Sequence, residues 1–276
     1  MSLSFTKMHG IGNDFILIDC RDAAVSHQLS AISTLSKRLC DRRFGIGADQ
    51  ILLLQNSDKA DFSMRIFNAD GSEVEMCGNG IRCFAKYIWD RKLSSKQVLE
   101  IETPAGIIRP EKAGEMVRVD MGRPELEGRK IPVNLDGRIK DYRLVIEDRE
   151  FEMTCVSMGN PHAVIVVDDL AAFDLQRYGP QIETHKLFPK KINVEFIQVI
   201  DPKTIRMRVW ERGSGETLAC GTGASAVAVA ADMKGIVEKK VTIQLTGGDL
   251  AIELHEDGHV YMTGPAEEVF TGIINL

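Results

Sequence analysis

Short apolar and β-branched runs recur along the whole chain, separated by Gly, Asn and Asp, and this pattern predicts a fold rich in short strands. In the first half the predicted strands are 15–19, 50–54, 62–67 and 117–121. In the second half they are 163–167, 194–200, 204–210 and 259–262. Because the two series follow the same order, the hydrophobic pattern indicates two similar units.

Two segments depart from the strand pattern and predict helices, at 81–89 and 224–233. The second segment begins Ala-Ser-Ala-Val-Ala-Val-Ala-Ala and is apolar on nearly every side. A helix of this kind has to be enclosed all round. The predicted unit is therefore a sheet rolled around a central helix.

A shift of 143 residues superimposes residues 61–88 on the second half without a gap, and a shift of 142 then matches Gly106 with Gly248. The first shift places Glu73 on Glu216, Cys77 on Cys220 and Gly80 on Gly223. Ordered matches at a domain-sized period indicate an internal duplication rather than a solenoid. We expect an α+β protein with two pseudo-symmetric domains, each a rolled, mostly antiparallel sheet around a central apolar helix.

The predicted domains are 1–122 and 123–276, and each contains one of the two matched cysteines. The polar stretch 124–141, with two glycines and Pro132, is the predicted linker. The last strand of the chain is a candidate for packing back on the first half.

Composition restricts the classes of function. The chain has 276 residues, of which 44% are hydrophobic and 27% charged, and these values are typical of a globular protein. A net charge of −6 and a pI near 5.6 argue against a nucleic-acid or membrane-surface binder. The sequence contains no run long and apolar enough to span a bilayer and no signal-peptide core, so we expect a cytoplasmic protein.

Six cysteines are present, and none forms a C-x-x-C pair, which disfavours zinc ribbons and thioredoxin chemistry. In a reducing cytosol they should be free thiols. A single cysteine is most often a small buried apolar residue. This interpretation is retained for Cys20, Cys40, Cys83 and Cys155.

The other two cysteines occur in one repeated phrase, Met-Cys-Gly-Asn-Gly at 76–80 and Ala-Cys-Gly-Thr-Gly at 219–223. Each phrase opens a predicted buried helix, where free N–H groups and the helix dipole favour negative charge. A thiol pKa there can fall from about 8.5 towards about 7 or below. A substrate carboxylate can dock on the N–H groups of Gly78, Asn79, Gly221 and Thr222.

Two thiols that face each other across one cleft suit a reaction that removes a proton from one face of a carbon and returns one to the other. Polar segments lie near each cysteine, at 68–73, 211–216 and 159–162. Taken singly, an Asn or Asp before Gly is more often a turn residue than a ligand. His162 alone is equally compatible with a structural histidine.

Other motifs fail. The glycine pairs near residues 10–12 and 45–47 lack the third glycine of a dinucleotide site. The sequence has no Walker A motif, no H-E-x-x-H and no G-x-S-x-G. Nothing in it calls for a metal, nicotinamide or pyridoxal phosphate, although a cofactor lysine needs no local pattern. We expect an enzyme that uses no cofactor and no metal.

With these motifs together, the chain resembles the diaminopimelate epimerase family nearly end to end. The shared segments are 9–15, 47–50, 67–73, 76–80, 159–162, 210–213 and 215–223. The paired cysteine phrases alone also fit proline racemase relatives. The Gly-Asn-Asp-Phe, Gly-Asn-Pro-His and Trp-Glu-Arg-Gly segments make the resemblance specific.

The resemblance implies a cofactor-independent epimerase that interconverts LL- and meso-2,6-diaminoheptanedioate, for lysine and peptidoglycan-precursor synthesis. It implies that Cys77 donates and Cys220 accepts the proton in the LL-to-meso direction. His162 and Glu211 would assist the thiols or position the reacting amine. The implied substrate-binding residues are Asn13, Gln50, Asn68, Gly78, Asn79, Asn160, Asn193, Glu211, Arg212, Gly221 and Thr222.

Within this implied set, Gly78, Asn79, Gly221 and Thr222 would hold the carboxylate at the reacting centre. The amides and Arg212 would hold the far end, since Arg212 can grip a carboxylate with two hydrogen bonds. The family's homodimer is also implied, although Phe270 stands where members often carry a tyrosine that supports it, and that hydroxyl contact would be lost.

Two alternatives remain at this point. One is a proline or hydroxyproline racemase relative, against which Arg212 and the amides favour a substrate with a second charged end. The other is a non-catalytic amino-acid-binding protein or scaffold, which would not need both thiols.

Overall fold

Strands dominate both halves of the computed structural model, which describes residues 2–22 and 32–275. The chain divides into two units. Unit 1 is Met1–Val119 with Gly264–Leu276, and unit 2 is Asp120–Thr263. The C-terminal strand is thus part of the unit that contains Cys77.

Unit 1 contains one eight-stranded sheet, a pair of short strands outside that sheet (111–113 with 116–120) and one long helix. Its elements are β1 (Ser2–Gly10), β2 (Asn13–Asp19), α1 (Ile32–Leu39), β3 (Gln50–Gln55), β4 (Phe62–Asn68), β5 (Glu73–Val74), α2 (Gly78–Asp90), β6 (Ile101–Thr103), β7 (Gly106–Ile108), β8 (Glu111–Ala113), β9 (Met116–Asp120) and, from the end of the chain, β19 (Glu267–Asn275). The strand order is β19-β1-β2-β3-β4-β6-β7, with β5 beside β4. The β2–β3 and β4–β6 pairs are parallel, and the other pairs in this order are antiparallel.

Unit 2 repeats this arrangement. Its elements are β10 (Tyr142–Ile146), β11 (Arg149–Ser157), β12 (Pro161–Val166), α3 (Leu175–Glu183), β13 (Asn193–Asp201), β14 (Thr204–Glu211), β15 (Gly215–Thr217), α4 (Gly221–Lys234), β16 (Lys240–Leu245), β17 (Gly248–Leu254) and β18 (Val260–Gly264). The order is β10-β11-β12-β13-β14-β16-β17-β18, with β15 beside β14. Here β12–β13 and β14–β16 are the parallel pairs.

The two strand orders confirm the predicted duplication and the predicted α+β class. In each unit a helix connects the first parallel pair of strands, and a longer, buried helix connects the second pair. The edge strand β19 lies beside β1 as β10 lies beside β11. The helices predicted at 81–89 and 224–233 are confirmed, and each begins three residues earlier, at the residue after the cysteine.

Each long helix packs against several strands of its own unit. α4 contacts β11, β12, β13, β16 and β17, and its residues from Gly223 to Ala231 are all buried. α2 contacts β1, β2, β3 and β19. The apolar faces of these helices therefore explain the curled sheets, because only a sheet that wraps the helix buries every side. In the described ranges, no helix has the length and apolar character needed to cross a membrane.

The stretch 124–141, predicted as a linker, packs into unit 2. Ile131, Val133 and Ile139 are buried in the same cluster as Phe151 and Phe196. These apolar side chains, spaced along an otherwise polar sequence, hold the segment against the sheet. It is therefore part of the folded unit and not a free connection.

Candidate active site

Cys77 is the N-cap of α2. Its backbone is extended (φ −139°, ψ 118°), and its Sγ accepts a hydrogen bond from the Gly80 N–H at 3.4 Å. The Oδ1 of Asn13 lies 3.8 Å from this Sγ and accepts a hydrogen bond from Asn79 Nδ2 at 3.2 Å. Cys77 thus sits at the positive end of the helix dipole, between a backbone donor and an amide oxygen.

The orientation of the Asn13 amide is fixed by Asp49. Asn13 Nδ2 donates to Asp49 Oδ2 at 2.8 Å, which leaves the amide oxygen directed at Cys77. Arg42 in turn donates to Asp49 and, with two hydrogen bonds, to Asp14. Burial raises the pKa of Asp14, but hydrogen bonds from Arg42 and Lys7 outweigh it and hold that pKa well below its usual range. Asp49 belongs to one of the segments shared with the family, yet its positioning role was not foreseen.

Two amide side chains of unit 1, Gln50 and Asn79, have a carbonyl oxygen that is open to a ligand. Gln50 Nε2 donates to Asn68 Oδ1 at 2.8 Å, and Asn68 donates to Ser72. Within the described ranges, the buried oxygens Gln50 Oε1 and Asn79 Oδ1 have no hydrogen-bond partner. Because buried acceptors are nearly always paired, these two oxygens are suited to the N–H groups of a ligand.

Cys220 is the N-cap of α4 in unit 2, with an extended backbone like that of Cys77 (φ −133°, ψ 107°). Its Sγ lies 3.5 Å from Thr222 Oγ1, and the carboxylates of Glu211 and Glu195 lie near it. Glu211 accepts a hydrogen bond from Thr217. The cysteine therefore lies near a carboxylate that can receive its proton.

The surroundings of Cys220 oppose the lowered thiol pKa expected at a helix start. Burial raises the pKa of Cys220 well above its ordinary value, and the Glu211 and Glu195 carboxylates raise it further. Burial also raises the pKa of Glu211. Desolvation and like charge thus outweigh the helix dipole here.

Behind Cys220 lies a buried pair of side chains, His162 and Glu195. The Nδ1 of His162 is 2.7 Å from Glu195 Oε1, and its Nε2 is 2.9 Å from Asn160 Oδ1. Glu195 Oε2 is buried and has no hydrogen-bond partner among the described residues. Sequence reasoning missed Glu195; the available signal was a single charge between Val194 and Phe196 in an apolar run.

Arg212 directly follows β14, and Asn193 is the first residue of β13. Asn193 Oδ1 accepts from the Arg212 N–H at 2.8 Å, and its Nδ2 donates to the Pro161 carbonyl at 3.0 Å. The Arg212 side chain is exposed and donates to the Lys190 carbonyl at 3.1 Å. Its guanidinium is therefore in a position to meet an anion from solvent.

The candidate residues fall into two groups, each around the start of a long helix. In unit 1 they are Asn13, Gln50, Asn68, Cys77, Gly78 and Asn79; in unit 2 they are Asn160, His162, Asn193, Glu211, Arg212, Cys220, Gly221 and Thr222. Each group combines one thiol, helix-start N–H groups and amide side chains. Each can hold a carboxylate beside a thiol, which is the chemistry of proton transfer at an α-carbon.

The remaining four cysteines are buried free thiols, as the sequence suggested: Cys20, Cys40, Cys83 and Cys155. Burial raises the pKa of Cys20 to about 12 and that of Cys40 to about 11. These thiols stay neutral at physiological pH and are suited to packing.

Comparisons with known proteins identify the family of the chain. The profile of the diaminopimelate epimerase family matches residues 5–127 and 154–269. A diaminopimelate epimerase of Acetivibrio thermocellus is 52% identical, over 99% of each chain, and one of Carboxydothermus hydrogenoformans is 53% identical, over 98% of each chain. The solved structure of a hydroxyproline epimerase from Agrobacterium vitis is 15% identical with a TM-score of 0.69, covering 99% of this chain and 92% of that one.

Because the identity to the hydroxyproline epimerase structure is low, that comparison supports only a shared fold, a duplicated α+β architecture. The profile match and the close relatives also support a shared family. The chain belongs to the diaminopimelate epimerase family.

Proposed function

We propose that this protein is a cofactor-independent isomerase, a diaminopimelate epimerase that interconverts LL- and meso-2,6-diaminoheptanedioate in lysine biosynthesis. Membership of the family and the name shared by its close relatives support this activity. The structural observation that carries the mechanism is the occurrence, once in each unit, of a cysteine that caps an enclosed helix.

The reaction needs one base and one acid. In the LL-to-meso direction Cys220, as a thiolate, removes the α-proton, and Cys77, as a thiol, delivers a proton to the opposite face of the carbon. The roles are exchanged in the reverse direction. Because the α-proton is much less acidic than a thiol, the site has to stabilise the carbanion strongly. Helix-start N–H groups that hold the substrate carboxylate supply part of that stabilisation.

Glu211 and His162 serve the Cys220 thiol. The nearby Glu211 carboxylate offers the thiol proton an acceptor, so Cys220 can become a thiolate without releasing a proton to solvent. His162 is a buried neighbour held by Glu195 and Asn160, and it partly opposes the rise that burial causes in the pKa of Glu211. This arrangement supports a role for both residues in setting the charge at Cys220.

The far end of the substrate has to be fixed so that only one of its two centres reacts. The residues proposed to hold that end are Asn13, Gln50, Asn68, Asn160, Asn193 and Arg212. The exposed Arg212 suits a carboxylate, and the open oxygen of Gln50 suits an ammonium group. A site built from buried polar groups rejects substrates that lack the matching end.

The test is a substrate comparison. LL-diaminoheptanedioate should be converted to the meso isomer without added cofactor or metal, while L-proline and trans-4-hydroxy-L-proline should not be racemised. Arg212→Leu should raise KM for diaminoheptanedioate more than it lowers kcat, because it removes a contact at the non-reacting end. Racemisation of proline at a comparable rate, with no meso product, would overturn the assignment.

We also propose a cytoplasmic homodimer that binds neither nucleic acid nor membrane. Strand β19 exposes Val269, Phe270 and Ile273, with 55%, 47% and 72% of their surfaces accessible. The Phe270 ring meets the buried ring of Phe5 edge-on, with 5.9 Å between the ring centroids, so the exposed patch on β19 is anchored to the core of unit 1. Sedimentation should give a dimer, and Phe270→Asp should weaken it; a wild-type monomer at micromolar concentration would refute this part.

A further inference from the structure

Arg82 is a fully buried cation that the mechanism above does not use. It lies in α2, five residues after Cys77, and is the largest of the completely buried side chains. Its Nη1 donates to the Gly78 carbonyl at 3.2 Å, and its Nε donates to the Pro265 carbonyl at 3.2 Å. A Cβ added to Gly10 would lie 3.0 Å from its Nη2, so the guanidinium also packs tightly against β1.

A buried guanidinium is costly unless a negative group compensates it. Burial lowers the pKa of Arg82 to about 10, whereas the nearby Cys83 and Cys77 sulfurs act to raise it. Arg82 is therefore a cation at neutral pH. Cys83 is completely buried with its pKa raised to about 12, so Cys77, at the open end of the helix, is the more readily ionised of these two thiols.

On the described strands packed against α2, most charged side chains lie beside a group of opposite charge. On β1, β2 and β19 these pairs are Asp19 with Arg21 and Glu268 with Arg91, while Lys7 and Arg42 face Asp14 and Asp49. The imidazole of His9 lies 3.7 Å from the Glu267 carboxylate. The guanidinium of Arg82 and the positive end of α2 thus act on Cys77 in the same sense.

Unit 2 has the opposite electrostatics. Ser225 occupies the position of Arg82 under the 143-residue shift, and its Oγ donates to the Gly221 carbonyl at 3.0 Å, as Arg82 does to Gly78. The hydrogen bond is kept, but the charge is gone. The groups facing Cys220 are the carboxylates Glu211 and Glu195, together with His162, which is bonded to Glu195.

We propose that Arg82 is a positioning residue that holds Cys77 as the resting thiolate of the ligand-free enzyme, while Cys220 rests as the thiol. The different side chains of the two units thereby determine which of the two sulfurs has the negative charge in the free enzyme. The free enzyme is then ready to take a proton from the meso isomer with Cys77. The catalytic meaning of this assignment rests on the proposed function, but the charge on each sulfur does not.

Site-resolved alkylation tests the assignment. The ligand-free protein is treated with iodoacetamide between about pH 5 and 10, and labelling of the Cys77 and Cys220 peptides is followed by mass spectrometry. Cys77 should reach half-maximal rate at a lower pH than Cys220. Arg82→Met should move the pH midpoint of Cys77 labelling up by about one unit or more. At neutral pH this corresponds to labelling that is roughly tenfold slower.

Two variants serve as controls. Arg82→Lys keeps the charge and should leave the Cys77 midpoint nearly unchanged. Ser225→Ala removes the equivalent hydrogen bond in unit 2 and should move neither midpoint. A lower midpoint at Cys220, or an unchanged Cys77 midpoint in folded Arg82→Met, would overturn the proposal. Because no substrate is present, this outcome is independent of whether the protein epimerises diaminoheptanedioate.

If Arg82→Met does not fold, Arg82→Gln replaces it with a neutral side chain that still donates to the Gly78 carbonyl. The ultraviolet absorbance of thiolate at neutral pH supplies a second measurement. It should be lost in Cys77→Ala and kept in Cys220→Ala. The reverse pattern would show that the resting charge lies on Cys220 and would refute the proposal.

Discussion

The imidazole Nδ1 of His162 lies 2.7 Å from the Oε1 of Glu195, and both side chains are fully buried. The duplicated positions in unit 1 hold Phe15 and Leu52. Strand register shows the equivalence, because Phe15 is paired with Gln50 as His162 is with Asn193. One scaffold thus places an ionisable pair behind one cysteine and hydrocarbon behind the other.

Substitutions of His162 and Glu195 should have strongly non-additive effects on the free energy of unfolding. His162→Phe leaves the Glu195 carboxylate buried without its partner and should cost about 3–5 kcal/mol in the free energy of unfolding. His162→Phe with Glu195→Leu installs the side chains of unit 1 and should recover most of that loss. Urea unfolding of the wild type, both single variants and the double variant measures the coupling. A double variant that loses the sum of the single effects would contradict the prediction.

Replacement of Glu211 by glutamine should stabilise the protein in a pH-dependent way. Burial raises its pKa in the folded protein, so the folded state binds the proton more tightly than the unfolded state does. The stabilisation that Glu211 gives the wild type is therefore present below its pKa in the unfolded state, about 4.3, and is lost as pH rises through its pKa in the folded state. Glu211→Gln, which mimics the protonated form, should be more stable than wild type at neutral pH and equal to it near pH 4.

Glu216 provides the matched control for Glu211. The Arg208 guanidinium holds the pKa of Glu216 below its usual value, so its contribution to stability is present above the unfolded pKa and is lost as pH falls. Glu216→Gln should therefore destabilise the protein slightly at neutral pH, because the pair is partly exposed. Thermal unfolding at several pH values measures both variants. The same sign for both would count against this account of the Glu211 site.

Gly223 and Gly80 predict unequal effects of one extra methyl group. A Cβ at Gly223 would lie 2.8 Å from Glu195 Oε1 and 3.2 Å from Cys220 Sγ, whereas at Gly80 the nearest atom is a Leu52 methyl at 3.2 Å. Gly223→Ala should therefore displace Glu195 or Cys220 and lower kcat by more than about tenfold. Gly80→Ala should be the milder change. Equal losses of kcat in the two variants would argue that the carboxylate does not matter at this point.

The duplication, the class of fold and the two buried helices were predictable because they depend on local signals. The repeated Cys-Gly phrase marks each helix start, and the apolar run after Gly223 requires enclosure. The packing of 124–141 was not predictable, since three spaced apolar residues in a polar stretch carry no periodic signal. Glu195, Asp49 and Arg82 were missed for another reason. Their importance lies in burial and in partners distant in sequence, which one sequence does not show.

The central claim is that one thiol removes the α-proton and the other returns a proton from solvent. Its most direct test is incubation with LL-diaminoheptanedioate in D2O, with product configuration and α-deuterium followed by chiral chromatography and mass spectrometry. The wild type and the control Cys155→Ala should form the meso isomer with deuterium at the inverted carbon. Cys77→Ala and Cys220→Ala, with folding verified by circular dichroism, should form none. Substantial turnover in either variant, or meso product without deuterium, would contradict the two-thiol account.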